Sequence, residues 1–447
     1  MYLPEETQVV ALLGGLGTRL RPTEPDAPKA LVDVHGKPFF LYQLLLMRDQ
    51  GFKDFVFCVG YKGNAIEEFF QNGEKYGVRI KYSWDCETPL GTGGAVRKAL
   101  NLLSEDFVVV YGDGFLDTDY NELIYSFRTA REKGSARGLL AVYKNKNQYC
   151  PSNVVFAEGK VRAYDKWNPS PDMEYIDFGA SMLNRSVVES IPEGREADLA
   201  SIYHRLAEAG QLAGLEVRKR FYEIGTPASL EEFRDFIGER TSVKKPAVFL
   251  DRDGTLNEIV LNEDIEQPDS PLKPEDLHLI PGVPEALRIL KSLGYLLVVI
   301  TNQPAAAKGK TTAGRLYEVN HRFIELLAEK GVGIDEVMMC LHHPVGSASC
   351  KDTFLISSCD CRKPAPGLIE RAIEKLNIDV GQSYVVGDSY ADILAGRAIG
   401  IETAYIGNFK CDTCKLLGGQ VPDHVFETIR EFAEYLKESK EVDNGKD

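Results

Sequence analysis

No apolar run in this chain approaches 18 residues, so no membrane-spanning helix is expected. The opening residues Met1-Tyr2-Leu3-Pro4-Glu5-Glu6 carry neither the basic nor the apolar stretch of a secretion signal, so a cytoplasmic protein is expected. Positive charge is in deficit: 52 Lys and Arg against 67 Asp and Glu leave a net charge of −15, which argues against sequence-independent binding of nucleic acid. No even cysteine framework is present. Nine cysteines, six of them after residue 339, make an odd and clustered set that favours a metal site or free thiols over disulfides. No internal repeat is visible, and nothing in the pattern fixes an oligomeric state.

What is there begins with length. A chain of 447 residues is too long for one hydrophobic core, so two or three domains are expected. Short apolar or β-branched runs at Val9–Leu13, Phe55–Val59, Arg79–Trp84, Phe107–Tyr111 and Gly138–Val142 read as strands, with helix-like stretches such as Phe39–Arg48 and Gly93–Leu102 between them. A second series runs through Ala247–Leu250, Leu296–Ile300, Glu336–Cys340, Ser383–Val386 and Glu402–Ile406. Amphipathic stretches at Pro284–Leu293, Ala313–Glu329 and Pro366–Leu376 intervene. Alternation of this kind predicts an α/β fold class with two doubly wound, mostly parallel sheets. The polar segment 239–246 reads as a linker between domains 1–238 and 247–435, and 436–447 as a charged tail that frays.

Each series opens on a motif that handles phosphate. After the first strand comes Gly14-Gly15-Leu16-Gly17-Thr18-Arg19-Leu20-Arg21-Pro22. Loops with so little side-chain bulk let backbone N–H groups approach phosphate oxygens, and Arg19 and Lys29 add cations that reach a polyphosphate. With Pro28-Lys29 and Gly36-Lys37-Pro38, the pattern resembles the sugar-1-phosphate nucleotidyltransferases, which imply a Rossmann-like fold and release of pyrophosphate. By that resemblance Gly14, Gly15, Gly17 and Thr18 hold the nucleotide. Gly91, in Pro89-Leu90-Gly91-Thr92-Gly93-Gly94, borders base and sugar. Asp113 binds Mg²⁺, and Glu223 stands where relatives carry a second, aspartate ligand. Lys166 holds the sugar phosphate and Asp177 the sugar hydroxyls. Glu87 is the candidate reader of the base: a carboxylate matches the adjacent N1–H and N2–H₂ donors of guanine, which favours GTP.

The second motif is Asp251-Arg252-Asp253-Gly254-Thr255. Two carboxylates one residue apart at a strand end can divide labour. One attacks phosphorus, and the other protonates the leaving oxygen and then activates water. With Thr301, Lys363 and Gly387-Asp388-Ser389 plus Asp392 in order, this resembles the haloacid-dehalogenase superfamily. That likeness implies a phosphomonoesterase whose Mg²⁺ is held by Asp251, Asp253 and Asp388, with Asn302 and Arg362 against substrate. Cys340-Leu341-His342 and Cys359-Asp360-Cys361 supply three thiols and an imidazole, the donor set of a closed structural Zn²⁺ site just before Arg362 and Lys363. His343 reads as a neighbour of that site, Cys350 as a spare, and Cys411 and Cys414 as surface thiols. This clamp, with Pro274–Val283, resembles the D-glycero-D-manno-heptose 1,7-bisphosphate phosphatases, a framework shared with histidinol-phosphate phosphatases. Where relatives continue Ser-Gly after Thr301-Asn302-Gln303, this chain has Pro304-Ala305.

The two resemblances converge on one route. A heptose bisphosphate loses its 7-phosphate, and the remaining heptose 1-phosphate is joined to a nucleotide, yielding a precursor of surface polysaccharide. The alternatives are a phosphatase for another ester, such as histidinol phosphate, and an N-terminal domain that senses nucleotide without turnover.

Overall fold

The computed structural model describes residues 6–15, 20, 27–85, 89–134, 136–262, 267–408 and 421–444. They fall into two compact units, Met1–Gly238 and Glu239–Asp447.

The N-terminal unit is built on a nine-stranded sheet. Its order is Arg79–Trp84, Asp54–Val59, Gln8–Leu12, Asp106–Tyr111, Tyr175–Asn184, Gly138–Lys144, Leu212–Val217, Lys160–Tyr164 and Val154–Ala157. The first four strands are parallel. Tyr175–Asn184 then enters antiparallel to both its neighbours, so the far half is mixed rather than parallel. Gln8–Leu12 shows why the sheet carries helices on both faces. Val9 and Ala11 are buried in one cluster and Val10 in the other, as the two-residue period of a strand requires. On one side the helix Phe39–Asp49 buries Phe40, Leu44 and Met47. On the other, Leu199–Glu208 buries Ile202, Tyr203 and Leu206.

In the C-terminal unit six strands, all parallel, run in the order Glu336–Cys340, Leu296–Asn302, Ala247–Leu250, Tyr384–Gly387, Glu402–Ile406 and His424–Phe426. In chain sequence this order is 3-2-1-4-5-6. The direction of winding reverses between the first strand and the fourth, and a crevice opens there at their carboxyl ends. Val248 and Leu250 face one apolar layer, and Ala247 and Phe249 the other.

Two expectations about the connections are corrected. The helix Pro227–Thr241 runs into the segment read as linker, leaving 242–246 outside helix or strand. The helix Ile429–Asn444 runs through most of the segment read as a fraying tail. Its first turns are anchored by buried Ile429, Phe432, Ala433 and Leu436, and helical bonding carries the polar end onward.

Candidate functional sites

In the N-terminal unit the loop after Gln8–Leu12 and the ends of the three neighbouring parallel strands enclose a cavity of about 270 Å³. Gly14, Gly15, Lys29, Gly91 and Asp113 line it. Gly91 has a φ of +71°, and a Cβ there would lie 2.6 Å from the Ala197 carbonyl oxygen, so only glycine fits. Lys29 Nζ donates to Asp113 Oδ2 at 2.7 Å. Glu223 lies on the short strand Phe221–Glu223, opposite Gly114, and Ile224 N donates to Asp113 O at 2.9 Å. Backbone pairing therefore brings residues 113 and 223 together across 110 positions of sequence. Of the expected nucleotide contacts, Gly17, Thr18, Arg19 and Glu87 lie outside the described residues.

A second polar group sits where Tyr175–Asn184 begins. Asp177 receives the Gly179 N–H at 2.9 Å and the Tyr164 hydroxyl at 3.4 Å. Burial pushes its carboxyl up to about 6, partly offset by the Gly179 N–H and the Lys166 charge. Lys166 Nζ is 3.9 Å from Asp198 Oδ2. Asp198 also accepts from Thr92 Oγ1 at 2.9 Å and caps the helix Leu199–Glu208. The sequence reading missed Asp198. Its only signal, an Asp ahead of an apolar-periodic helix, reads as a cap.

The C-terminal site lies at the reversal of winding. Asp251 directly follows Ala247–Leu250, and Asp388 follows Tyr384–Gly387. Lys363 Nζ reaches between them, donating to Asp251 Oδ1 at 2.6 Å, Asp392 Oδ1 at 2.6 Å and Ile300 O at 2.7 Å. The loop presenting Lys363 is pinned by Asn302, which donates to Lys363 O and accepts from Lys363 N, both at 3.0 Å. Lys363 is buried, which favours its neutral form, yet the Asp251 and Asp392 charges outweigh this and hold it protonated. Asp392 is fixed from its other side by Ser389, whose hydroxyl donates to Oδ2 at 2.6 Å within the capping box of Tyr390–Arg397.

Asp251, Asp388 and Asp392 place carboxylate oxygens within 4.8 Å of one another. Burial drives the Asp251 carboxyl well above its ordinary range despite Lys363, and burial with the Asp392 charge lifts Asp388 to about 6. Three acids crowded against one ammonium fit a divalent cation, which would lower both. Gly254 has a φ of +91°, and a Cβ there would lie 2.2 Å from Asp388 Oδ2, so the turn brings the two strand ends together only with glycine.

The Asp253 side chain, expected to share the Mg²⁺ site, lies outside this group of side-chain oxygens, and that of Asp392 lies within it. The Asp253 carboxylate instead receives Arg252 at 3.0 Å, Asn257 at 3.0 Å and Gln303. Burial raises its pKa, but these partners more than compensate and hold it below the usual range. Thr301 is buried, and Gln303 donates to its hydroxyl at 2.8 Å. Arg362 is partly buried, with Nη1 3.4 Å from His342 O.

Cys340, His342, Cys359 and Cys361 converge. The three sulfurs lie 3.2 to 3.6 Å apart, and His342 Nδ1 is 3.4 Å from Cys361 Sγ. A tetrahedral zinc with Zn–S near 2.3 Å needs S–S edges of about 3.8 Å, so the sulfurs stand roughly 0.2 to 0.6 Å closer together than that geometry. Hydrogen bonding with Cys340, and then with His342 and Cys359, draws the Cys361 thiol down to about 4, against the pull of burial. His343 and Cys350 lie outside this group of donors. Cys411 and Cys414 are outside the described residues.

The family model described as nucleotidyl transferase matches residues 8–240, and that described as haloacid dehalogenase-like hydrolase matches 182–400. The D-glycero-beta-D-manno-heptose-1,7-bisphosphate 7-phosphatase of Pasteurella multocida is 37% identical over 196 residues, 43% of this chain and 97% of that protein. The protein of the same name from Escherichia coli strain K12 is 39% identical over 158 residues, 35% of this chain and 76% of its own length. Among solved structures, HddC from Yersinia pseudotuberculosis complexed with GMP-PN covers 52% of this chain and 99% of its own, at 22% identity and a TM-score of 0.43. D,D-heptose 1,7-bisphosphate phosphatase from B. bronchiseptica, complexed with magnesium and phosphate, covers 43% and 99%, at 26% identity and a TM-score of 0.35.

Proposed function

The chain belongs to the nucleotidyl transferase family through its N-terminal unit and to the D-glycero-β-D-manno-heptose-1,7-bisphosphate 7-phosphatase family through its C-terminal unit. From that premise we propose that one polypeptide removes the 7-phosphate of heptose 1,7-bisphosphate and then joins the remaining heptose 1-phosphate to a nucleotide, GMP from GTP. The observation that carries the phosphatase half is Lys363, buried between Asp251 and Asp392 where the parallel sheet reverses its winding.

In this reading an Asp251 oxygen attacks the phosphorus of the 7-phosphate, and the sugar C7 oxygen leaves with a proton relayed by Asp253, which is ionised in the free site and takes up that proton as the protonated phosphate ester binds. Arg252, Asn257 and Gln303 orient the Asp253 carboxyl. Water activated by Asp253 then cleaves the aspartyl phosphate and releases inorganic phosphate. Lys363 neutralises the transferring group, and Thr301, Asn302 and Arg362 frame it. Asp251, Asp388 and Asp392 would hold Mg²⁺, which supplies charge neutralisation for phosphoryl transfer. Cys340, His342, Cys359 and Cys361 would hold a structural Zn²⁺. Four protein ligands leave no open coordination position, so that metal fixes the loop presenting Arg362 and Lys363.

In the N-terminal unit a phosphate oxygen of heptose 1-phosphate attacks the α-phosphorus of GTP, and pyrophosphate leaves. Gly14, Gly15 and Gly91 shape the nucleotide cleft, and Lys29 is poised for the polyphosphate. Asp113 and Glu223 would hold the Mg²⁺, Lys166 the phosphate of the sugar, and Asp177 its hydroxyls. Substrates and products are all small molecules, in keeping with a cytoplasmic supply of activated sugar for surface polysaccharide.

Two assays test the proposal. Full-length protein should release phosphate from heptose 1,7-bisphosphate far faster than from histidinol phosphate. It should also release pyrophosphate from GTP only when heptose 1-phosphate is present. Preference for histidinol phosphate would overturn the first half, and absence of sugar-dependent pyrophosphate the second.

A further inference from the structure

Two segments far apart in the chain are stitched together at the wall of the nucleotide cavity. Ala197 N donates to Leu90 O at 2.9 Å, and Ala197 O accepts the N–H groups of Gly93 and Gly94 at 2.8 and 3.2 Å. The next residue, Asp198, adds its side chain to the seam. Its Oδ1 accepts the Thr92 hydroxyl at 2.9 Å and the Ala200 N–H at 3.0 Å, and Thr92 Oγ1 in turn accepts the Leu199 N–H at 2.9 Å. Thr92 lines the cavity, so Asp198 fixes part of a wall to which it does not itself belong. Its other oxygen, Oδ2, stands 3.9 Å from Lys166 Nζ.

Lys166 follows the strand Lys160–Tyr164, and its backbone is pinned on both sides. Asp165 N donates to Asn153 O at 2.9 Å, and Asp165 Oδ1 accepts the N–H groups of Trp167 and Asn168 at 2.8 Å each. His204 Nδ1, on the helix that Asp198 caps, lies 2.6 Å from Tyr164 O and ties that helix to the same strand end. The Lys166 side chain is instead mostly exposed, on a flexible stem, so neighbouring charges decide where its ammonium rests.

We propose that Asp198 is a positioning residue for nucleotidyl transfer, its Oδ1 holding the nucleotide wall through Thr92 and its Oδ2 holding Lys166 toward the phosphate of the sugar. This rests on the reading of the N-terminal unit as a nucleotidyltransferase with Lys166 at that phosphate, and adds a residue that touches neither substrate. The two arms ask different things of position 198. A neutral amide oxygen accepts from a hydroxyl or an N–H as a carboxylate does, and Asn caps a helix as well as Asp. Only a negative charge attracts an ammonium. The same charge repels an incoming phosphate, so its removal would help binding if repulsion were all it did. Steering outweighs repulsion here, because a small misplacement of a group that holds substrate slows an in-line attack by up to about a hundredfold.

The test is steady-state pyrophosphate release by full-length protein and its D198N, D198A and K166A variants, with GTP and heptose 1-phosphate varied in turn. D198A should raise the KM for GTP about fivefold and lower kcat/KM for heptose 1-phosphate about tenfold. D198N should bring the GTP value back to within about twofold of wild type and leave the sugar value low, since Asn replaces the cap and the Thr92 bond but not the charge. Those retained bonds let D198N carry the test if D198A does not fold. Added to K166A, D198N should change nothing further on the sugar side, because its effect passes through Lys166. D198N with an unchanged or improved kcat/KM for heptose 1-phosphate, or with a loss that persists in K166A, overturns the Lys166 arm. D198A with a wild-type KM for GTP overturns the Thr92 arm. Both outcomes leave the nucleotidyltransferase reading standing, whereas wild type that releases no sugar-dependent pyrophosphate overturns that reading itself.

Discussion

At the residue scale, the proposal rests the two half-reactions on different carboxylates. Asp251 sits 2.6 Å from Lys363 Nζ in one unit, and Asp113 sits 2.7 Å from Lys29 Nζ in the other. An amide is a poor nucleophile, so Asp251→Asn should lower phosphate release by more than about a thousandfold, the scale of losing one member of a catalytic unit. Pyrophosphate release by the same protein should be unchanged, and Asp113→Ala should give the opposite pattern. Residual phosphatase activity within tenfold of wild type in Asp251→Asn would assign the nucleophile elsewhere. Asp177 gives a pH dependence. Burial lifts its carboxyl from the ordinary carboxylate range to about 6, so it is ionised and able to accept sugar hydroxyls only above about pH 6. The KM for heptose 1-phosphate should therefore rise as pH falls through 6, and Asp177→Asn should flatten that profile. For stability the sign is reversed: a raised carboxyl pKa favours the folded state below about pH 4, and that advantage is lost as pH rises through 6. Asp177→Asn should thus melt at a higher temperature than wild type at pH 7, by a gain of about 1 kcal/mol once partial solvent screening is allowed for. A melting point at pH 7 equal to or below wild type contradicts this account of Asp177.

At the scale of elements, the loop from Cys340 to Lys363 is the feature whose chemistry reaches furthest. Its thiols and imidazole are drawn together at one end, and its last residue meets Asp251 at the other. Metal analysis of purified protein should find one tightly held Zn²⁺ per chain, lost in Cys359→Ser and Cys361→Ser. Phosphatase activity in those variants should fall through both KM and kcat, while nucleotidyl transfer stays at the wild-type rate. Zinc retained at one per chain in both variants would return these cysteines to packing roles. The parallel strands and their helices were legible because continuous apolar runs buried on both faces leave a strong trace: Ala313–Glu329 is a helix at the expected bounds. Tyr175–Asn184 was not, since its sequence YIDFGASMLN breaks alternation with Asp177 and Gly179, and the register of its pairing shifts there. The helix Tyr120–Lys133 hides behind its polar face, and the end of Ile429–Asn444 behind charge. In the sites, residues carried by local motifs were legible. Asp198 was not, because what it meets depends on which chain ends the sheet order brings side by side.

At the scale of the whole molecule, the account is a claim about order. The phosphatase half yields the sugar 1-phosphate that the nucleotidyltransferase half consumes, and both sites lie on one chain of 447 residues. Each unit has its own sheet and its own apolar layers, so each half-reaction should survive loss of the other. The most direct test is mass spectrometry of the products formed when full-length protein meets heptose 1,7-bisphosphate, GTP and Mg²⁺ together. The account predicts GDP-heptose, with one inorganic phosphate and one pyrophosphate released per molecule. It also predicts that Asp251→Asn makes no GDP-heptose from the bisphosphate yet makes it from heptose 1-phosphate. Phosphate release that ends at heptose 1-phosphate with GTP intact, or a nucleotide sugar that still carries the 7-phosphate, would contradict it.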